Sequence, residues 1–119
     1  MEIFKVFTVE AAHHLPNVPP EHKCRRLHGH SFRIEVRVRG TVDAESGWVQ
    51  DFADLASAFE PVFHKIDHRY LNDVPGLENP TSENLARWIW REIRPALPLL
   101  AEVVVHETCT SGCRYHGDE

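Results

Sequence analysis

Between Phe32 and Val42 apolar and polar residues alternate with little error (FRIEVRVRGTV). Successive side chains of a β-strand leave on opposite sides, so a period of two describes a strand with one buried face. This part of the chain therefore needs a sheet and an apolar layer to cover one side of it. Residues 2–10, rich in Ile, Phe, Val and Thr, read as a first strand. Asp43 to Gly47 supplies a turn, from which Trp48–Gln50 is expected to return antiparallel as a hairpin partner.

The covering layer is predicted further on. Phe52, Leu55, Ala56, Phe59, Val62, Phe63 and Ile66 recur every three or four residues, one stripe of a helix that Asp51 can cap. Pro61 inside that stripe predicts a kink or a weakened turn. A second helix starts at Thr81 or Ser82, carries Leu85, Trp88, Ile89 and Ile93 on one face, and ends by Pro95. Leu100–Thr108 reads as another strand, to which the CTSGCRYHGDE tail can add a short last one. Counted without that tail, four strands and two helices give an α+β class with a mostly antiparallel sheet. With 119 residues and no linker or repeat, residues 1–119 are expected to form a single domain.

Composition narrows the function. Thirteen Lys and Arg against 18 Asp and Glu leave a net charge of −5, without the basic excess that phosphate-backbone binding needs, so nucleic acid is not an expected partner. No apolar run approaches the roughly 18 residues of a membrane span. Glu2 and Lys5 interrupt the segment where a signal peptide has its apolar centre. A soluble, cytoplasmic protein is expected, in which Cys24, Cys109 and Cys113 stay reduced. Nine histidines invite a metal or proton-transfer reading, although His14, His64, His106 and His116 read as scattered surface imidazoles.

His28-Gly29-His30 leads directly into the alternating strand. By parity His28 and His30 share a face with Phe32, Ile34 and Val36, the side that is to be buried. Imidazoles against apolar surface must be hydrogen-bonded or bound to a cation, because an unpaired buried polar group costs about 1–3 kcal/mol. Both options remain at this point. Gly29 leaves room on the other face for a close backbone or ligand. His13, at the end of the first strand, can supply a third imidazole if the two strands pair. Three imidazoles with an open fourth position describe a catalytic rather than a closed zinc site.

Other residues bear on chemistry. Cys24 lies among His22, Lys23, Arg25 and Arg26, and nearby positive charge favours thiolate; an ordinary loop thiol is the alternative. Asp67-His68 closes the first helix, either as a carboxylate fixing an imidazole for proton transfer or as a simple helix end. Period two puts Glu107 with Val103 and Val105 on an apolar face. There it can bind two N–H groups of a heterocycle or meet an inward arginine.

EAAHHLP, CRRLHGHSF, IDHRYLND, PTSENLARWIW and ETCTSGC, in this order along nearly the whole chain, resemble the 6-carboxytetrahydropterin synthases of the 6-pyruvoyl-tetrahydropterin synthase superfamily. The resemblance implies the tunnelling fold, a four-stranded mostly antiparallel sheet with two helices on one face, assembled as a hexamer of two trimers. It implies zinc on His13, His28 and His30, with Cys24, Asp67 and His68 catalytic. It also implies Glu107 anchoring a pterin ring, and Thr81, Ser82 and Glu83 in the substrate-binding segment. The implied activity converts 7,8-dihydroneopterin triphosphate to 6-carboxy-5,6,7,8-tetrahydropterin with release of acetaldehyde and triphosphate, on the way to queuosine. Lys23, Arg25 or Arg26 can meet the triphosphate or remain solvated. The compact Cys24-x3-His28-x-His30 spacing is similar to the carboxy-forming branch; the pyruvoyl-forming branch usually has a longer gap. A non-catalytic zinc or pterin-binding module would not need Cys24 and Asp67-His68, and metal-hydroxide hydrolysis could dispense with the thiol.

Overall fold

The computed structural model describes residues 1–108 and 110–119. The regular elements are β1 (Glu2–His13), β2 (His28–Arg39), α1 (Phe52–Ile66), β3 (Arg69–Tyr70), α2 (Ser82–Ile93), β4 (Leu100–Glu107) and β5 (Ser111–Tyr115). The strands form one sheet in the order β3-β1-β2-β4-β5, antiparallel except where β3 meets β1. Alternation along β2 works as expected: Phe32, Ile34, Val36 and Val38 are fully buried. They face Leu55, Phe59, Val62 and Ile66 of α1 and Leu85, Ile89 and Ile93 of α2 in one core. Burying each of these large side chains contributes roughly 1.5–3 kcal/mol. The Phe59 ring also stacks on Phe7 of β1, with centroids 4.1 Å apart.

The helix ends follow the sequence. The Asp51 carboxylate accepts the N–H of Ala53, and the Thr81 hydroxyl accepts that of Asn84, each satisfying one donor that the first helical turn leaves unpaired. Pro61 lies on the exposed side of α1, which runs unbroken past it, so the proline removes one backbone bond without ending the helix. Phe52 departs from the expected stripe. It is the first residue of the helix and is 53% exposed.

The sheet has five strands rather than four. Trp48–Gln50 forms no strand, because β1 and β4 already occupy both edges of β2. Asp43 closes the preceding segment on itself, its carboxylate accepting from the N–H groups of Glu45 and Ser46. The unexpected strand is β3, two residues that pair parallel to Ala11 and Ala12. β2 also stops at Arg39, three residues short of Val42, and the N–H of Gly40 donates to Met1. Among the described residues no helix is long and apolar enough to cross a membrane.

Candidate functional site

Strand register builds the site. In the β1–β2 ladder His13 lies opposite His28 and Ala11 opposite His30, so three imidazoles share the core-side face at the loop end of the hairpin. Glu107 faces Phe32 across the β2–β4 ladder, one pleat from His30. One ring nitrogen from each of His13, His28 and His30 lies within 4.8 Å of the others, an arrangement that can hold a metal ion.

The outer nitrogens fix the chemistry of the inner ones. His13 Nδ1 lies 2.8 Å from the Pro80 carbonyl, and His28 Nδ1 lies 2.7 Å from that of Arg26. A carbonyl can only accept, so both Nδ1 atoms carry the proton and both Nε2 atoms present lone pairs inward. His30 Nδ1 lies 2.7 Å from the Thr108 hydroxyl, which can accept or donate, so this contact orients the ring without choosing its tautomer. His13 Nε2 and His28 Nε2 are nevertheless 3.0 Å apart. Glu107 Oε1 lies 3.3 Å from His13 Nε2 and 3.2 Å from His30 Nε2. A closed group of acceptors like this is stable only around positive charge, either a proton on His13 Nε2 or a metal ion. Ring nitrogens oriented from behind by carbonyl and hydroxyl groups are the usual surroundings of a histidine-bound metal.

Burial lowers the His30 pKa, only partly offset by the Glu107 carboxylate, which keeps the ring neutral and able to donate a lone pair. The His13 imidazole holds the Glu107 carboxyl below its ordinary range against the opposing effect of burial, with help from His30 and Ser82. The Ser82 hydroxyl donates to Glu107 Oε2 at 3.1 Å. The partners of Glu107 are thus histidines and a serine rather than the arginine considered from sequence. Thr81 is the α2 cap, and Glu83 is exposed in the first turn.

The remaining residues singled out by sequence lie outside this cluster. Asp67 Oδ1 accepts from the Glu10 N–H at 3.0 Å, and Oδ2 lies 2.7 Å from His68 Nδ1. The Glu10 N–H first, then His68, holds the Asp67 carboxyl below the usual carboxylate range. His68 turns the chain with φ of 57° and is largely solvent-facing. Cys24 is a half-buried free thiol in a 3-10 turn (Lys23–Arg25), whose carbonyl accepts from Leu15 N–H two residues beyond His13. Neither the thiol nor the Asp67–His68 pair hydrogen-bonds to the histidines. Cys113 is also a free thiol, raised in pKa by burial, and Cys109 lies outside the described residues.

Sequence reasoning missed the groups that orient the imidazoles: Thr108, in a left-handed conformation, and the carbonyls of Pro80 and Arg26. Only Thr108, adjoining Glu107, carried a side-chain signal. Two of the four supposed surface imidazoles are half-buried: His14 bonds the Tyr70 hydroxyl at 2.6 Å and His106 meets Glu35 at 3.0 Å. Gly29 makes no unusually close approach within the chain, since a Cβ there would lie 3.5 Å from the Ala11 carbonyl.

Comparison with known proteins agrees with this geometry. A 6-carboxy-5,6,7,8-tetrahydropterin synthase of Synechocystis is 50% identical over 119 aligned residues, covering 95% of this chain and 91% of that protein. A dihydroneopterin monophosphate aldolase of Pyrococcus furiosus is 44% identical over 72 residues, 60% of each chain. The structure of Caenorhabditis elegans 6-pyruvoyl tetrahydropterin synthase superposes with a TM-score of 0.91 at 29% identity, covering 99% of this chain and 96% of that one. The profile of the family described as 6-pyruvoyl tetrahydropterin synthase matches residues 2–118. With sequence and fold both matched almost from end to end, this chain belongs to the 6-pyruvoyl tetrahydropterin synthase family.

Proposed function

We propose that the protein is a zinc-dependent lyase converting 7,8-dihydroneopterin triphosphate to 6-carboxy-5,6,7,8-tetrahydropterin, with release of acetaldehyde and triphosphate. The observation that carries this reading is the 50% identity to the Synechocystis 6-carboxy-5,6,7,8-tetrahydropterin synthase over 95% of the chain. The product belongs on the route to queuosine, and the reaction is assigned to the cytoplasm. The working form is proposed to be a homohexamer of two trimers.

His13, His28 and His30 would hold the zinc through Nε2, a neutral nitrogen set that suits this metal. Bound there, the ion supplies Lewis-acid polarisation of substrate hydroxyls, lowering their pKa. The protein does the rest. Glu107, ionised and braced by Ser82, binds two N–H groups of the pterin ring through its two oxygens. Thr81 and Glu83 belong to the same substrate-binding segment. Cys24 is the base that removes a substrate proton. His68 donates Nδ1–H to Asp67, which leaves the Nε2 lone pair free to take up a proton and return it. Within one chain neither Cys24 nor Asp67–His68 bonds to the histidine cluster, so assembly of subunits is what would complete the site.

Incubation of purified, metal-analysed protein with 7,8-dihydroneopterin triphosphate should yield acetaldehyde and the carboxy product in equal amounts. A pyruvoyl product without aldehyde would assign the chain to the other branch and overturn the proposal. Cys24→Ala should lose at least about a hundredfold in turnover, within the range general-base removal produces, while its zinc content stays near wild type.

A further inference from the structure

A cavity of about 730 Å³ between the end of α1, β3 and α2 takes no part in the histidine cluster. Its basic lining residues are His64, Lys65, His68 and Arg69, and its acidic ones Asp73 and Glu92. Most of these charges are already engaged. Lys65 pairs with Glu92 at 2.8 Å, His64 lies 3.7 Å from Glu60, and His68 is held by Asp67. Arg69 reaches no carboxylate among the described residues, and Asp73 is the one acid of the lining left to offset it.

Arg69 is also firmly placed. Its backbone pairs with Ala11 in the sheet, directly after the left-handed turn at His68. A second depression, of about 580 Å³ and lined in part by Gly29 and His30, shares His68, Arg69 and Tyr70 with the first. Arg69 and His68 therefore line both hollows together, and Glu10, the acid of the second, already accepts from the Ser31 hydroxyl. In the other basic stretch, Arg25 is spent on the Val18 carbonyl at 2.8 Å, and Lys23 and Arg26 line neither hollow. A chain of net charge −5 repels a polyanion at long range, so binding one calls for fixed local cations. The planar fork of arginine matches two phosphate oxygens at once.

We propose that Arg69 is a polyphosphate-binding residue, whose guanidinium takes two oxygens of the substrate's phosphate chain and holds that leaving group beside His68. This rests on the reading above only in taking the Asp67–His68 pair to act on a phosphorylated substrate.

The test is calorimetric titration of inorganic triphosphate into zinc-loaded wild type, Arg69→Ala, Arg69→Gln and, as control, Arg91→Ala, an exposed arginine of α2 that lines neither hollow. Both Arg69 variants should bind at least about tenfold more weakly, whereas Arg91→Ala should stay within about twofold of wild type. Unphosphorylated 7,8-dihydroneopterin should bind wild type and Arg69→Gln equally. Wild-type triphosphate affinity in Arg69→Gln overturns the proposal, as does an equal loss of affinity for the unphosphorylated pterin, the mark of a purely structural role. The assay needs no turnover. Arg69-dependent triphosphate binding without acetaldehyde would sink the function and spare the anion site; the opposite pattern would do the reverse.

Discussion

At the scale of single residues, the site is decided by which nitrogen of each imidazole carries its proton. Nδ1 donates to a carbonyl in His13 and His28, so two lone pairs point inward before any ion arrives, and the Thr108 hydroxyl orients the third ring beside them. Thr108→Val should weaken zinc affinity about tenfold or more through loss of the His30 orienting bond, measured by chelator competition, with the fold unchanged. The proposed zinc would compete with protons for these nitrogens. The lowered pKa of His30 keeps its ring deprotonated to more acidic pH than an ordinary histidine, so its contribution to the competition begins below pH ~6.5. Zinc affinity should accordingly fall more steeply below that pH than above it. The histidine cluster was legible in the sequence because parity and an antiparallel register suffice to bring positions 13, 28 and 30 together. Their orienting partners were not, since every residue has a carbonyl and only the fold determines which one faces an imidazole.

At the scale of elements, sequence periodicity revealed what lies on the core side and little of the opposite face. There Glu35 and Glu102 are 7% and 5% exposed, with Arg37 between them. Arg37 reaches Glu35 at 3.1 Å and Glu102 at 3.0 Å, and its guanidinium lies 4.5 Å from the centre of the Phe4 ring. Arg37→Ala would remove the cation shared by two buried carboxylates, which keep His106 and Arg33 at Glu35 and Arg114 and His116 at Glu102. It should cost about 1–3 kcal/mol in denaturant unfolding. Burial pushes the Glu35 pKa up, but the His106 hydrogen bond, Arg37 and Arg33 together bring it below the ordinary value. A carboxyl depressed in the folded state adds stability above its unfolded pKa, about 4.3, and loses that contribution as pH falls through the folded one. Glu35→Gln should therefore flatten the fall of Tm at acidic pH. Strand β3 escaped detection because two residues show no period, and the expected Trp48–Gln50 strand failed because adjacency along the chain says nothing about which sheet edges are free.

At the scale of the whole molecule, the chain is long, 57 × 24 × 23 Å, with a radius of gyration of 15.3 Å. A compact chain of this length would have about 13.5 Å. The excess comes from the twelve-residue strands β1 and β2, which project the histidines to one end of an open sheet. If six copies close these sheets into the proposed ring, light scattering on dilute protein should give six times the mass of one chain; a monomer retaining full turnover would refute the need for assembly. Composition does not bear on assembly, because the charges on the uncovered face look the same whether they meet water or a neighbour. The main-chain anchors of His13 and His28 have an effect over evolutionary time as well. Replacing the side chain at position 26 or 80 leaves its carbonyl in place, so those positions can drift while the centre they steer persists. Thr108 is the one steering group that a single point mutation deletes.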